Sequence, residues 1–378
     1  MLSYLSAIGG LVVGLPIVAY AIFRLLLAKG LAHTCTCLRR GGEPPPRTKL
    51  PLWGAHKTVV VSGLSFHFVQ SSGDTSKPLL LLLHGFPESW YSWRWWLVAF
   101  SHSHRVVAVD QRGYGESDAP STSWWGARHY TVRQLTNDMV GLVEALGHER
   151  ASVAAHDWGA VVGWSLAGLL DSQGRLDKLI IVNGPHLGSY FAQAGVAQYL
   201  KSLYIAIFNA PWLPEAWLKA GEGTFIDYMF LGKGMGVRRR GKPLSLTKDD
   251  VEVFKWGVGR PGRLSAALNW YRALALGSTG DFDALAPKPG RALQAPCLVL
   301  WGVDDGALGV ELIKDTQAYT TRLTTVMIEG CSHWGQQDAV EEVLEAAAGF
   351  LGVKVDIKAL HAKAAKMGGG GGGGAATG

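Results

Sequence analysis

Eight short apolar runs are spread along the chain, and most of them are continuous rather than alternating. A continuous apolar run of this length is typical of a strand that is buried on both faces of a parallel sheet. We therefore predict a mostly parallel sheet of eight strands. The runs cover residues 58–61, 65–69, 79–83, 106–110, 152–155, 178–182, 297–301 and 324–328.

Segments with helical periodicity lie between and after these runs, at residues 91–100, 132–145, 160–170 and 340–350. Strands that alternate with helices indicate a parallel sheet that is covered on both sides. The alternation stops after the sixth run, where a long interval of mostly helical pattern follows. Because a structureless loop of that length is improbable, we predict a helical lid over residues 187–293. The core then comprises residues 57–186 and 294–353.

The N-terminal segment contains no charged residue from Leu2 to Phe23. About 20 helical residues cross the roughly 30 Å hydrocarbon core of a bilayer. A secretory signal would carry a basic start and a shorter apolar core, and a transit peptide would be rich in Arg and Ser. A buried soluble helix would usually show a polar stripe. We therefore predict a transmembrane anchor over residues 1–30, with residues 2–23 in contact with lipid.

Basic residues follow this segment at Arg24, Lys29, Arg39 and Arg40. The positive-inside rule then predicts a single-pass protein whose catalytic domain faces the cytoplasm, and we expect the endoplasmic reticulum membrane. A proline-rich stretch over 31–56 predicts a linker, and the glycine-rich end predicts a flexible tail over 354–378.

The composition is 48% hydrophobic and 17% charged, which favours a large buried core over disorder. The net charge is +6, yet the run Arg238–Arg240 is short enough to be a solvated face, and no nucleic-acid-binding module is recognisable. Four cysteines are too few for a disulfide scaffold, which indicates a reducing compartment. We expect Cys35 and Cys37 to be free thiols, with acylation as the alternative.

The strongest chemical motif is Ala155-His156-Asp157-Trp158-Gly159, directly between an apolar strand and an apolar helix. A tight strand-to-helix turn needs small residues two positions before and after its central residue, and Ala155 and Gly159 meet this need. A carboxylate at the start of the helix is stabilised as an anion, which suits a nucleophile. The alternative is that Asp157 is a simple helix N-cap.

Two further motifs follow strands. In His84-Gly85-Phe86-Pro87 after the third strand, the N–H of Phe86 is placed to form an oxyanion hole with the N–H of Trp158. Alone, this loop could equally be a strand end.

The third motif, at residues 330–334, carries His333 after the last strand, and Asp304 and Asp305 follow the strand before it. The order nucleophile, acid, histidine is the order of α/β-hydrolases, in which the acid orients the imidazole. The spacing does not choose between Asp304 and Asp305.

No motif of a metal or cofactor site is present. The chain has no HExxH, the pair Cys35 and Cys37 has no second cysteine pair, and Gly113-Tyr114-Gly115 is too short for a dinucleotide site. We therefore expect neither a metal nor a cofactor.

Together, the segments 84–94, 110–115, 156–159 and 330–334 closely resemble the motifs of epoxide hydrolases of the α/β-hydrolase superfamily. The resemblance covers roughly residues 55–352 and implies the α/β-hydrolase fold. With the N-terminal segment, the chain looks most like the membrane-anchored members of that family.

The resemblance also assigns roles. It implies that Asp305 is the acid and that Tyr271, in Asn269-Trp270-Tyr271-Arg272, binds the epoxide oxygen. Tyr204 matches the second such tyrosine, although the family usually has Gln at the position of Asn209. We expect the substrate pocket to include His84, Pro87, His156 and Trp334.

The implied reaction opens a lipophilic epoxide to a 1,2-diol through an ester of Asp157, which water activated by His333 hydrolyses. One alternative is a haloalkane or haloacetate dehalogenase with the same nucleophile. Phe86 has no side-chain donor for a halide, however, and Trp158 stands where haloacetate dehalogenases generally carry Arg. The other alternative is a silent membrane-tethered binding protein, which would not need all these groups.

Overall fold

The protein folds around one eight-stranded sheet in the order β1-β2-β4-β3-β5-β6-β7-β8. The structure is a computed structural model that describes residues 15–17, 19–20, 37–38 and 41–368. β2 pairs antiparallel with β1 and β4, and the remaining pairs are parallel, which confirms the predicted mostly parallel sheet. The strands are β1 Ala55–Val61, β2 Leu64–Gln70, β3 Leu79–Leu83, β4 Arg105–Val109, β5 Ala151–His156, β6 Leu176–Val182, β7 Cys297–Gly302 and β8 Leu323–Ile328.

Helices cover both faces of the sheet, as the continuous apolar strands require. All five leucines of β3 are fully buried, because this central strand has a neighbour on each side and helices above and below. The core helices before the lid are α1 Arg94–Ala99, α2 Val132–Ala145 and α3 Trp158–Ser172. A capping box formed by Thr131 and Gln134 fixes the start of α2.

Seven α-helices of the described chain lie between β6 and β7 and form the lid above the carboxyl edge of the sheet. They are α4 Leu187–Gln193, α5 Val196–Lys201, α6 Leu203–Phe208, α7 Leu213–Leu231, α8 Lys248–Gly259, α9 Arg263–Ala273 and α10 Thr279–Leu285. α7 is interrupted at Ala220–Gly223, where the backbone leaves helical geometry. Cys37 pairs with Ala220 at this break, and the N–H of Leu38 donates to the carbonyl of Lys219 at 2.8 Å.

Two predicted boundaries need correction. Within the predicted linker, Trp53 is fully buried and packs edge-on against Tyr91 and Trp95, and β1 already begins at Ala55. Within the predicted tail, the chain forms a helix over Ile357–Gly368, which follows α11 Gly335–Asp338 and α12 Val340–Leu351 and is labelled α13. The tail prediction overlooked an apolar stripe at helical spacing, of which Leu360 is buried.

No helix in the described part of the chain is both long and apolar enough to cross a membrane. The predicted span over 2–23 falls largely on residues outside that part, so it stays a prediction.

Candidate active site

Asp157 stands at the sharp turn between β5 and α3 with a φ of 50° and a ψ of −119°. This left-handed backbone costs energy in a residue other than glycine, and the surrounding packing holds it in place. A Cβ atom on Gly159 would lie 2.3 Å from the carbonyl oxygen of Leu83, and one on Gly85 would lie 2.5 Å from the Cβ of Asp157. Glycine is therefore needed at both positions for β3 and its loop to approach the turn.

The carboxylate of Asp157 lies between a backbone donor and an imidazole. Its Oδ1 accepts a hydrogen bond from the N–H of Phe86 at 2.9 Å, and its Oδ2 lies 3.6 Å from Nε2 of His333. Burial by itself would raise the pKa of Asp157, but the hydrogen bond and charge of His333 and the Phe86 N–H outweigh it and lower that pKa. Asp157 is therefore ionised at neutral pH, as a carboxylate nucleophile must be.

His333 is held on its other side by Asp305. Nδ1 of His333 lies 2.8 Å from Oδ2 of Asp305, whereas Asp304 is exposed to solvent. Burial alone would lower the pKa of His333. Asp305 and Asp157 act against burial through their negative charges and their hydrogen bonds with the imidazole, and the net effect raises the pKa of His333 to about 10. The geometry thus selects Asp305, which the spacing of the two acids did not.

Asn183 is a member of this group that the sequence analysis missed. It follows β6 with a φ of 43°, and its side-chain amide donates to Oδ2 of Asp305 at 2.8 Å. Oδ1 of Asp305 accepts from the N–H groups of Ala307 and Leu308 at 2.7 and 2.8 Å. These three hydrogen bonds fix the position of the Asp305 carboxyl group. A polar residue directly after a buried strand was the signal available in the sequence.

Three residues predicted in the pocket lie beneath the site instead. The three are His84, Pro87 and His156. They are buried, and none of them lines either of the two cavities that meet at Asp157. His156 bridges Oε2 of Glu88 at 2.8 Å and the carbonyl of His333 at 2.9 Å, so it supports the loop that carries His333. Trp334 does line a cavity. The error arose because motif residues can support a site as well as face it.

Glu88 is a second residue that the sequence analysis missed, and it fixes the loop that carries Phe86. Its carboxylate is buried and accepts hydrogen bonds from the N–H of Gly85 at 3.0 Å and from His156. It also accepts from Gln336 at 3.0 Å and from Gln337 at 2.6 Å. It therefore joins the loop after β3 to the segment after His333.

The two lid tyrosines face Asp157 from the opposite side. Tyr204 on α6 and Tyr271 on α9 have ring centroids 6.4 Å apart, and Tyr271 also packs 4.7 Å from the ring of Trp158. Burial and the nearby negative charge of Asp157 raise the pKa of both phenols. The indole N–H of Trp158 opposes this rise at Tyr271 but does not cancel it, so the pKa of Tyr271 stays above its usual value. Because an indole N–H only donates, the hydroxyl proton of Tyr271 remains available to another acceptor.

Arg272, next to Tyr271, ties the two tyrosine-bearing helices together and was not recognised from the sequence. It is almost fully buried, and its guanidinium is satisfied on every side. It donates to the carbonyls of Phe208 and Ala210, to Oδ1 of Asn269 and to both carboxylate oxygens of Glu215, at 2.9–3.1 Å.

Two apolar cavities meet at Asp157, Tyr204 and Tyr271. The first, of about 210 Å³, extends past Phe86, Phe225 and Trp334. The second, of about 470 Å³, extends past Trp158 and the lid helices α4, α5 and α6. Asp157 and His333 bring the only charges to the described walls of the two cavities. The site therefore suits a ligand with apolar groups on both sides of its reacting centre.

One cluster of the described residues has the atoms that a metal ion would need, on β1, on β2 and in the loop after β4, and outside both cavities. His56, His67 and Glu116 place one ligand atom each within 4.8 Å of one another. The facing ring nitrogens of His56 and His67 are 2.9 Å apart, and their outer nitrogens contact the carbonyl of Thr48 and the carboxylate of Asp110. The separation of 2.9 Å between the two ring nitrogens is that of a normal hydrogen bond with one shared proton.

Comparisons with known proteins agree with this geometry. A family model of the alpha/beta hydrolase fold matches residues 78–210. The chain is 35% identical over 325 residues to epoxide hydrolase 4 of Homo sapiens, covering 84% of each protein. It is also 35% identical over 286 residues to epoxide hydrolase 2 of Caenorhabditis elegans, covering 75% of this chain and 76% of the relative.

Among solved structures, the Bacillus megaterium epoxide hydrolase in complex with an inhibitor superposes with a TM-score of 0.67 at 26% identity, covering 78% of this chain and 100% of the other. The epoxide hydrolase of Vigna radiata gives a TM-score of 0.63 at 28% identity, covering 79% and 97%. Because the similarity at 35% identity extends over 84% of the chain, this protein belongs to the epoxide hydrolase family of α/β-hydrolases.

Proposed function

We propose that this epoxide hydrolase converts lipophilic epoxides to 1,2-diols through a covalent ester of Asp157. The observation that carries the proposal is the position of the Asp157 carboxylate, between the Phe86 N–H and His333 and opposite the phenols of Tyr204 and Tyr271. A carboxylate that is ionised, mostly shielded from solvent and open to a cavity can attack carbon.

In the first step, a carboxylate oxygen of Asp157 bonds to an epoxide carbon and the carbon–oxygen bond breaks. Tyr204 and Tyr271 donate hydrogen bonds to the leaving oxygen, which would otherwise depart as a strongly basic alkoxide. One phenol transfers its proton to that oxygen, and the proton of His333 restores the phenol by net transfer. His333 is neutral after this step, so it is ready to act as a base.

In the second step, neutral His333 takes a proton from water, which attacks the ester carbonyl carbon of Asp157. The N–H groups of Phe86 and Trp158 hold the oxyanion that forms. The intermediate collapses with return of a proton to the diol oxygen, and the Asp157 carboxyl group gives its remaining proton to His333. The resting ion pair is restored. The charge of Asp305 stabilises the imidazolium each time it forms.

A dehalogenase with the same ester chemistry is less well supported. Halide release needs N–H donors that point at the leaving anion, and the side chain of Trp158 is engaged with Tyr271. Two phenols above the nucleophile instead suit an oxygen leaving group. Turnover assays with haloalkanes and haloacetates, with halide release as the readout, test this directly.

The apolar cavity walls favour lipophilic substrates, such as epoxides of unsaturated fatty acids or hydrophobic xenobiotics. The uncharged run from Leu2 to Phe23 supports a single membrane span, with the catalytic domain on the cytoplasmic side of the endoplasmic reticulum. Resistance of the protein to carbonate extraction tests the membrane span. A glycosylation site engineered into the catalytic domain tests the orientation, because a site on the cytoplasmic side stays unglycosylated. A clear preference for small polar epoxides would contradict the substrate assignment.

The decisive experiment is a single turnover with excess enzyme in water labelled with heavy oxygen. Because the attacking water becomes part of the carboxylate, peptide mass spectrometry should locate the label in Asp157. The Asp157→Asn protein, checked for deamidation, should form no diol. Label that appears in the diol after a single turnover, with none in Asp157, would exclude the ester mechanism.

A further inference from the structure

The lid segment 187–214 contains a single charged residue, Lys201. Its ammonium group is directed at the backbone carbonyl of Asp305, at 3.3 Å. Protein surfaces that face water normally mix many charges of both signs. The part of the surface that this segment forms therefore lacks the charges that would keep it in contact with water.

Large apolar side chains of this segment are exposed instead. The exposed fraction is 77% for Val196, 62% for Leu200 and 54% for Tyr199. These three residues have the i, i+3 and i+4 spacing that gives one face of α5. Phe191 is 53% exposed and Leu203 is 41% exposed. We name these five residues the lid face. A contiguous exposed apolar patch of this kind marks a surface that another phase or partner covers.

The lid face surrounds the mouth of the second cavity. Phe191, Tyr199 and Leu203 line that cavity and are also partly exposed, so they stand where it opens. The same cavity extends to Asp157 and Tyr271 at its inner end. An apolar molecule that enters between these three side chains reaches the reacting groups without crossing a charged wall.

The chain upstream of the described domain also leads to the lid. Cys37 pairs with Ala220, and Leu38 hydrogen-bonds to Lys219 and is buried. The uncharged run ends at Phe23. The intervening residues can span at most roughly 45 Å when fully extended. A domain of this size is roughly 50 Å across, so the lid is the side nearest to the proposed anchor.

We infer that the lid face rests on the lipid bilayer, with its apolar side chains among the acyl chains and headgroups. The mouth of the second cavity then opens into the membrane, and lipophilic epoxides enter from the bilayer rather than from water. Burial of apolar side chains in the interface provides the driving force. This inference rests on the membrane anchor that we proposed above.

Contact with lipid can be measured at one matched pair of exposed valines. Val196 on the lid face is replaced by Cys in one full-length protein, and Val60 on β1, which is 67% exposed, in another. Cys35 and Cys37 are changed to Ser, while Cys297 and Cys331 are buried and do not react. A fluorophore is attached, and the protein is reconstituted into phosphatidylcholine vesicles that contain spin-labelled lipid.

We expect severalfold stronger lipid quenching at position 196 than at position 60. Equal, weak quenching at both positions in protein that floats with the vesicles would overturn the inference and leave the anchor intact. Failure to float after carbonate washing would instead count against the anchor. Protection of position 196 that rises with protein concentration and not with added lipid would assign the lid face to a second copy of the chain.

Kinetics provide an independent test. The substitutions Val196→Glu and Leu200→Glu place charge on the lid face outside the cavities, and Val60→Glu is the control. We expect the lid-face variants to lower kcat/KM severalfold for a long-chain epoxide dissolved in the vesicles and to leave a short, water-soluble epoxide unaffected. An equal loss with both substrates, or no loss with either, would overturn the inference.

Discussion

Nε2 of His333 lies 3.6 Å from Oδ2 of Asp157, whereas its Nδ1 lies 2.8 Å from Asp305. The short contact is a permanent hydrogen bond to a fixed acid. The longer one is an ion pair that exists only while Asp157 is ionised. Conversion of Asp157 to an ester would remove one of the two charges that raise the pKa of His333. The same histidine can thus rest as a cation and act as a base later in the cycle.

The ion pair predicts how stability depends on pH. The pKa of His333 is raised from 6.5 to about 10. The stabilisation that protonated His333 gives the folded state is therefore fully present below about pH 6.5 and is lost as the pH rises through about 10. We expect the melting temperature of the wild type to exceed that of His333→Gln by a margin that shrinks over this range. In an Asp157→Asn background the margin should shrink at lower pH, because one stabilising charge is gone. A margin that is constant from pH 6 to pH 10 would contradict the protonated resting state.

Asp305→Asn should separate the two chemical steps. The amide cannot stabilise the imidazolium, so hydrolysis of the ester should slow by roughly 10³-fold, while attack by Asp157 continues. Intact-protein mass spectrometry should then detect a protein that has gained the mass of one epoxide. Asp304→Asn is the matched control, because Asp304 is exposed, and it should turn over normally. Absence of an adduct together with full turnover would refute the role of Asp305.

Tyr271→Phe should slow ester formation rather than hydrolysis. The lost hydroxyl is the one that Trp158 leaves free to donate, and loss of one such donor costs roughly 10–10³-fold in rate. Rapid-mixing measurements of tryptophan fluorescence can follow ester formation directly. Tyr204→Phe should have a similar effect, and the double variant should be nearly inactive. Unchanged ester formation in the double variant would show that neither phenol assists the leaving oxygen.

Glu88→Gln should destabilise the protein, although the glutamine side chain has nearly the same size and shape as the glutamate side chain. Four donors converge on this buried carboxylate, and an amide NH₂ group would face one of them, at a cost of about 3 kcal/mol. Denaturant unfolding should report this loss, together with lower kcat because the Phe86 N–H is displaced. Glu149→Gln, on an exposed residue, serves as the control and should change little. Wild-type stability in Glu88→Gln would contradict the proposed support of the loop.

Arg272→Lys should disturb the position of both lid tyrosines without touching substrate. A lysine cannot reproduce the two-pronged bond to Glu215 while also reaching the carbonyls of Phe208 and Ala210. We expect kcat/KM to fall by roughly 10–100-fold because a small displacement of positioned groups is costly. Arg291→Lys is the control on an exposed arginine. Removal of both phenols should abolish most of the effect, since Arg272 acts through them; an undiminished effect would argue for a general structural role.

The eight strands could be predicted from the sequence because most of them are continuous apolar runs, and β3 and β7 begin at the predicted residues. The sharp turn at Asp157 could be predicted equally well, since its small residues and its aspartate are neighbours in sequence. The helix Ile357–Gly368 was not predicted, because it was assigned to the same flexible tail as the glycine-rich run that follows it, although it has an apolar stripe of its own.

Local sequence therefore determined the strands, the turn at Asp157 and the order of the reacting residues, because each depends on neighbours a few positions apart. The spacing of Asp304 and Asp305 left the acid open, the family resemblance implied Asp305, and the tertiary structure places Asp305 against His333. Only the tertiary structure brought in Asn183 and Glu88 and placed His156 beneath the site. These choices depend on hydrogen bonds between residues far apart in the chain, which form when the carboxyl ends of different strands meet. The cavities and the raised pKa of His333 were also decided by the tertiary structure. Side chains become buried, and charges from distant parts of the chain come close together, only once the chain has packed.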